Sequence, residues 1–78
     1  MKNTRYFIIR VRDTLKMTQE ELAYAIGRSP RTVRRWEAGE TEGTIGDAIA
    51  IIKLCKDSGV DLDTIVFLFW YNTDLVNY

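Results

Sequence analysis

The chain contains no histidine, one cysteine, one proline and no apolar run long enough for a membrane span. Without histidine there is no imidazole to shuttle protons near neutral pH or to ligate a metal. With only Cys55, no intrachain disulfide is possible, and the thiol reads as a small buried apolar side chain. The longest apolar run, Ile65 to Tyr71, is seven residues, against roughly 18 for a transmembrane helix. No secretion signal is visible at the N-terminus, so a cytoplasmic location is expected. No serine lies beside a base, and no carboxylate pair sits in an apolar setting. Glu20 with Glu21, and Asp61 with Asp63, read as helix-start residues. Enzymatic activity is therefore not expected, nor is a metal, a cofactor or a small-molecule ligand.

What is present suits one small domain: 78 residues, 46% of them hydrophobic. Formal net charge is zero, but its distribution is uneven. Residues 1–36 carry nine bases and three acids, a net of +6, and residues 37–78 carry two bases and eight acids, a net of −6. A basic first half can meet phosphates while the acidic half faces away.

Punctuation divides the chain into five helical segments. Arg5 to Leu15 is rich in β-favouring residues, yet Ile8, Val11 and Leu15 also fit a helical face. It is taken as helix, in keeping with everything downstream. Thr18 and Glu21 form a capping box, with Met17 and Leu22 placed for a hydrophobic staple. Leu22, Ala23 and Ile26 make the inner face, and Gly27 ends the helix. Ser29 caps the next helix, with Pro30 in its first position. At about 100° per residue, Val33, Trp36 and Glu37 share one side and Arg31, Arg34 and Arg35 the other. Gly39 stops it. The fourth helix, Ile45 to Asp57 after Thr44, is expected to bury Ile45, Ala48, Ile49, Ile52 and Cys55, with Ile51 and Leu54 as a second strip. The fifth, about residues 62–71, is apolar all round from Ile65 and must be covered on both sides.

Two short helices joined by a tight glycine turn are a helix-turn-helix, which projects the start of its second helix toward the major groove. The stretch T-Q-E-E-L-A-Y-A-I-G-R-S-P-R-T-V-R-R-W-E-A-G resembles the DNA-binding domain of phage repressor and Cro proteins, the xenobiotic-response-element type of helix-turn-helix. The likeness is specific over Leu15 to Gly39 and extends from about Ile8 to Leu68. It implies an all-α, compact five-helix bundle with the motif at helices two and three, spanning residues 1–78 as one domain. It further implies base contacts from Pro30, Arg31, Arg34 and Arg35, and phosphate contacts from Thr18, Gln19, Arg28, Ser29 and Thr32. Arg12 and Glu37 match positions that tie the first helix to the third as an ion pair.

Three features depart from the pattern or stand outside it. Lys16 occupies a place where glycine often ends the first helix. Glu40 and Glu42 put carboxylates in a loop that relatives turn toward phosphates. The aromatic stretch around Phe67, Leu68, Trp70 and Tyr71 reads as monomer core, as a homodimer seam or as a surface for another protein, with the seam preferred. The expectation is a sequence-specific regulator of double-stranded DNA, of prokaryotic or phage type, acting as a homodimeric repressor on inverted repeats. The alternative is a protein-interaction module, such as the antitoxin of a toxin pair or an adaptor using the apolar C-terminus.

Overall fold

A computed structural model describes residues 3–70, which form five helices and, among the described residues, no strand. They are α1 (Thr4–Leu15), α2 (Gln19–Ala25), α3 (Pro30–Glu37), α4 (Ile45–Asp57) and α5 (Leu62–Trp70). The β-favouring first segment is helical because Phe7, Ile8 and Val11 fall on one face and enter the core. That helical burial outweighs local propensity.

Each boundary has a local cause. Thr18 and Thr44 both build capping boxes, with Glu21 and with Asp47. Ser29 Oγ accepts from the Thr32 N–H at 3.2 Å, and Pro30 follows in the first turn. The α2–α3 turn closes as a Schellman motif: the Arg28 N–H donates to Ala23 O at 2.8 Å and the Gly27 N–H to Tyr24 O at 3.3 Å. Gly27 takes φ 74°, a left-handed conformation that costs glycine nothing. Lys16 holds the same conformation at φ 57° to end α1. A side chain there carries strain of about 1–2 kcal/mol, which the surrounding turn must offset.

The core joins all five helices: Phe7, Ile8 and Val11 of α1, Leu22 and Ala23 of α2, Val33 and Trp36 of α3, Ile51 and Cys55 of α4, and Ile65 and Leu68 of α5. Phe7 meets Phe69 edge-on, ring centroids 5.2 Å apart, and pins α1 to α5. Burial pushes the Cys55 thiol up, away from the reactive thiolate.

Two apolar faces differ from expectation. In α4 the buried line is Ala48, Ile51 and Cys55, whereas Ile45 and Ile49 stand 75% and 52% exposed. The sequence offers two overlapping apolar strips, and the assembled core takes in the one through Ile51. In α5, Leu68, expected on a dimer seam with Phe67, is only 5% exposed and belongs to the core. Phe67 is 58% exposed. The Trp70 side chain and Tyr71 lie outside the described residues.

The loop after α3 is fastened to the start of α1. Glu42 accepts from the Thr4 N–H at 3.0 Å and from the Thr4 hydroxyl, and Thr4 Oγ1 accepts from the Gly43 N–H at 2.9 Å. Thr4 is fully buried. Glu42 thus caps a helix 38 residues away in the chain.

The Thr4 hydroxyl and then its N–H hold the Glu42 carboxyl below the usual carboxylate range. A depressed folded-state pKa contributes stability that is complete above the unfolded value and is lost as pH falls through the folded one. Thermal stability is therefore expected to hold down to about pH 4.5 and to fall below it. Glu42→Gln is expected to cost about 1 kcal/mol at neutral pH and to flatten part of this acid limb. Melting curves from neutral to acid pH check it; an unchanged limb in the variant would show that the Thr4 contact contributes nothing.

Candidate nucleic-acid interface

Helix α3 is held from behind. Val33 and Trp36 of α3 are 0% and 2% exposed and lock it against the core. At its C-terminal end Arg12 grips Glu37 side-on. Nε donates to Oε2 at 2.6 Å and Nη2 to Oε1 at 2.8 Å, while Nη1 reaches Met17 O at 3.2 Å. One guanidinium therefore ties α1, the α1–α2 loop and α3 together. The Glu37 hydrogen bond outweighs burial and raises the Arg12 pKa further, so the guanidinium stays charged across the physiological range.

The outward face of α3 carries Arg31, Arg34 and Arg35, all exposed. Arg34 lies 3.8 Å from Glu20 and Arg35 lies 3.8 Å from Glu40. At that distance these are loose surface pairs rather than hydrogen bonds, worth under about 1 kcal/mol. Their guanidinium N–H groups are not committed. Arg31, nearest the helix start of the three, has no partner among the described residues. Pro30 is half-buried at the first position and presents no donor.

The residues expected at phosphates fall around the two helix starts. Thr18 Oγ1 accepts from the Glu21 N–H at 3.1 Å and keeps its hydroxyl proton to donate. Gln19 is half-buried in the first position of α2. Ser29 and Thr32 hydroxyls lie 3.0 Å apart, one donating to the other. Arg28 lies in the turn, exposed, with Nε donating to Asp47 Oδ1 of α4 at 2.6 Å.

Sequence reasoning missed this Arg28–Asp47 pair and the capping box behind it. Thr44-x-x-Asp47 is legible as a cap with Asp in place of the usual Glu. The ion pair across 19 residues has no sequence signal. Burial alone pushes the Asp47 carboxyl up, but the Arg28 hydrogen bond and the Thr44 donors outweigh it and hold it below the usual range.

This arrangement sets exposed arginines along α3 and polar groups around the starts of α2 and α3, two consecutive helices joined through the Gly27 turn. No helix among the described residues is long and apolar enough to cross a membrane.

Comparison with known proteins gives the same reading. A stretch of 44 residues, 53% of this chain, is 50% identical to the type II methyltransferase M.SsoII of Shigella sonnei. It covers 12% of that protein, so the chain spans about an eighth of the relative's length. No solved structure matches. The helix-turn-helix family pattern matches residues 8–63, which takes in α2, α3 and α4 entire. The chain belongs to this family, the DNA-binding helix-turn-helix of the phage repressor and Cro type.

Proposed function

We propose that this chain is a sequence-specific, double-stranded-DNA-binding transcriptional regulator that represses as a homodimer on an inverted-repeat operator. The observation that carries the reading is the outward face of α3, where three exposed arginines follow a capped, proline-started helix whose other face is locked in the core. Arginine bidentate to guanine O6 and N7 is the commonest specific base contact. Arg31 and Arg35, one helical turn apart, address neighbouring base pairs, and Arg34 reaches a base edge or a phosphate beside them. Pro30 offers an apolar contact to a thymine methyl. Thr18, Gln19, Arg28, Ser29 and Thr32 fix the register on phosphates. Two copies related by a two-fold axis place their recognition helices about one turn, roughly 10 bp, apart. Occupying a promoter then blocks transcription.

A salt titration tests the DNA reading. Counterion release requires duplex affinity to fall steeply as salt rises. Absence of duplex binding at low salt would defeat it.

The homodimer has its own test. Ile45 and Ile49 of α4 and Leu62, Val66 and Phe67 of α5 are all more than half exposed, apolar side chains that a second copy would cover. Phe67→Asp is expected to convert a sedimenting dimer to a monomer at tens of micromolar while leaving the helical content unchanged, since Phe67 lies outside the core. A wild-type chain that is already monomeric there would remove the dimer from the account. The same surface favours a second reading, a protein-interaction module such as an antitoxin or adaptor. That reading gains if duplex binding is absent and a protein partner is bound through these residues.

A further inference from the structure

The turn before the recognition helix contains a guanidinium that is only half used. Arg28 Nε donates to Asp47 Oδ1 at 2.6 Å. The second carboxylate oxygen is already taken: Asp47 Oδ2 accepts from the Thr44 N–H at 2.8 Å and from the Thr44 hydroxyl at 3.1 Å. Asp47 therefore cannot receive Arg28 side-on through two bonds, as Glu37 receives Arg12. Nη1 and Nη2 of Arg28 have no partner among the described residues, and the side chain is 43% exposed. Asp47, by contrast, is 7% exposed and fixed on both oxygens. The result is a flexible arginine gripped at its neck with a two-pronged donor left facing out. It stands one residue before Ser29, the cap of α3, and three before Arg31.

We propose that Asp47 of α4 is a positioning residue for DNA binding, holding Arg28 through Nε so that its terminal nitrogens clamp one backbone phosphate beside the recognition helix. The proposal rests on the DNA-binding reading above and adds α4, which carries no base-reading residue, to the working parts of the site. A free arginine loses side-chain entropy on meeting a phosphate, whereas one already anchored at Nε loses less. Two parallel N–H bonds to phosphate oxygens are the geometry that the guanidinium fork favours. The sign of the effect separates this role from a plain electrostatic one. Asp47 is negative and lies near the proposed phosphate path. If it acted only through its charge, its removal would tighten binding.

The experiment measures affinity of the full chain for a non-specific duplex across a salt series. The variants are wild type, Asp47→Asn, Arg28→Ala, Arg28→Lys, Asp47→Asn with Arg28→Ala, and Arg31→Ala with Arg35→Ala. Asp47→Asn is expected to weaken binding roughly tenfold despite removing a negative charge, about the worth of one charge-assisted hydrogen bond. Arg28→Ala is expected to weaken it by a similar factor and to lower the salt slope by about one phosphate. The double variant at 28 and 47 should be no weaker than Arg28→Ala alone, because the two act as one unit. Arg28→Lys keeps the charge and leaves the Thr44–Asp47 cap untouched. It is expected to lose about as much as Asp47→Asn, since one ammonium group has no neck to be gripped by. It keeps the test decisive should Asp47→Asn unfold α4. The proposal is overturned if Asp47→Asn binds as well as wild type or better, if Arg28→Lys binds like wild type, or if the two single effects simply multiply. Failure of the parent reading looks different: wild type then binds no duplex, and Arg31→Ala with Arg35→Ala matches it.

Discussion

Replacing Arg31 and Arg35 together by alanine is expected to lower affinity for the operator about 30-fold or more while leaving the fold intact. Each bidentate arginine–guanine contact is worth about 1–3 kcal/mol, and two such contacts set that lower bound. The fold is spared because both side chains are exposed and project from the face of α3 opposite Val33 and Trp36. The loss should be unequal between sequences. Operator binding falls far, whereas non-specific binding falls only by the phosphate-like share of two positive charges. Single variants should each relax preference at different base pairs, because residues one turn apart on a helix in the groove meet neighbouring steps. Gel-shift titrations with specific and scrambled duplexes at fixed salt check this. Equal losses on both duplexes would place the arginines at phosphates and move base reading elsewhere.

Glu37→Ala is expected to be the most damaging single change to stability among the polar residues, at about 2–3 kcal/mol. It removes both carboxylate acceptors from Arg12, which is 25% exposed and lies close to the core. Leaving a part-buried guanidinium unpaired costs more than the pair itself contributes. Marginal stability makes this large for so small a domain. A loss of that size corresponds to a fall in melting temperature of roughly 10–20 °C for a domain of this length. Arg12→Ala should cost a comparable amount, because it strands the Glu37 carboxylate, which is only 11% exposed, and Met17 O loses one donor. The pair also fixes the C-terminal end of α3, so Glu37→Ala should weaken DNA binding at temperatures where the chain still folds. Calorimetry with circular dichroism gives the first number. A loss below about 0.5 kcal/mol, the scale of an ordinary surface pair, would show that the bridge does not tie the helices.

Most of the fold was legible because its boundaries are local chemistry. Thr18-x-x-Glu21, Ser29-Pro30 and the glycines at 27, 39 and 59 each specify a backbone state without reference to the rest of the chain, and the helices begin and end there. Faces were less legible. In α4 five isoleucine and leucine residues give two overlapping stripes, and only packing in the assembled core settles that Ile51 is inside and Ile49 outside. In α5 every side is apolar, so periodicity could not separate Leu68, which is buried, from Phe67, which is not. Of the interface, the arginine face follows from helical spacing, and the Arg12–Glu37 contact follows from resemblance to a family. The contacts of Glu42 with Thr4 and of Arg28 with Asp47 were invisible for one reason. Each joins polar groups far apart in sequence through a loop whose path no local pattern encodes. Glu42 shows the consequence. Read by position it opposes phosphate, and read in place it caps α1.

The central claim is that the exposed arginine face of α3 reads DNA sequence, and selection of bound duplexes from a random library tests it most directly. The expected result is enrichment of an inverted repeat with guanine in each half-site, half-site centres about one helical turn apart, and loss of that motif for the chain carrying Arg31→Ala with Arg35→Ala. A library that emerges unenriched, or a motif that survives both substitutions unchanged, would contradict it.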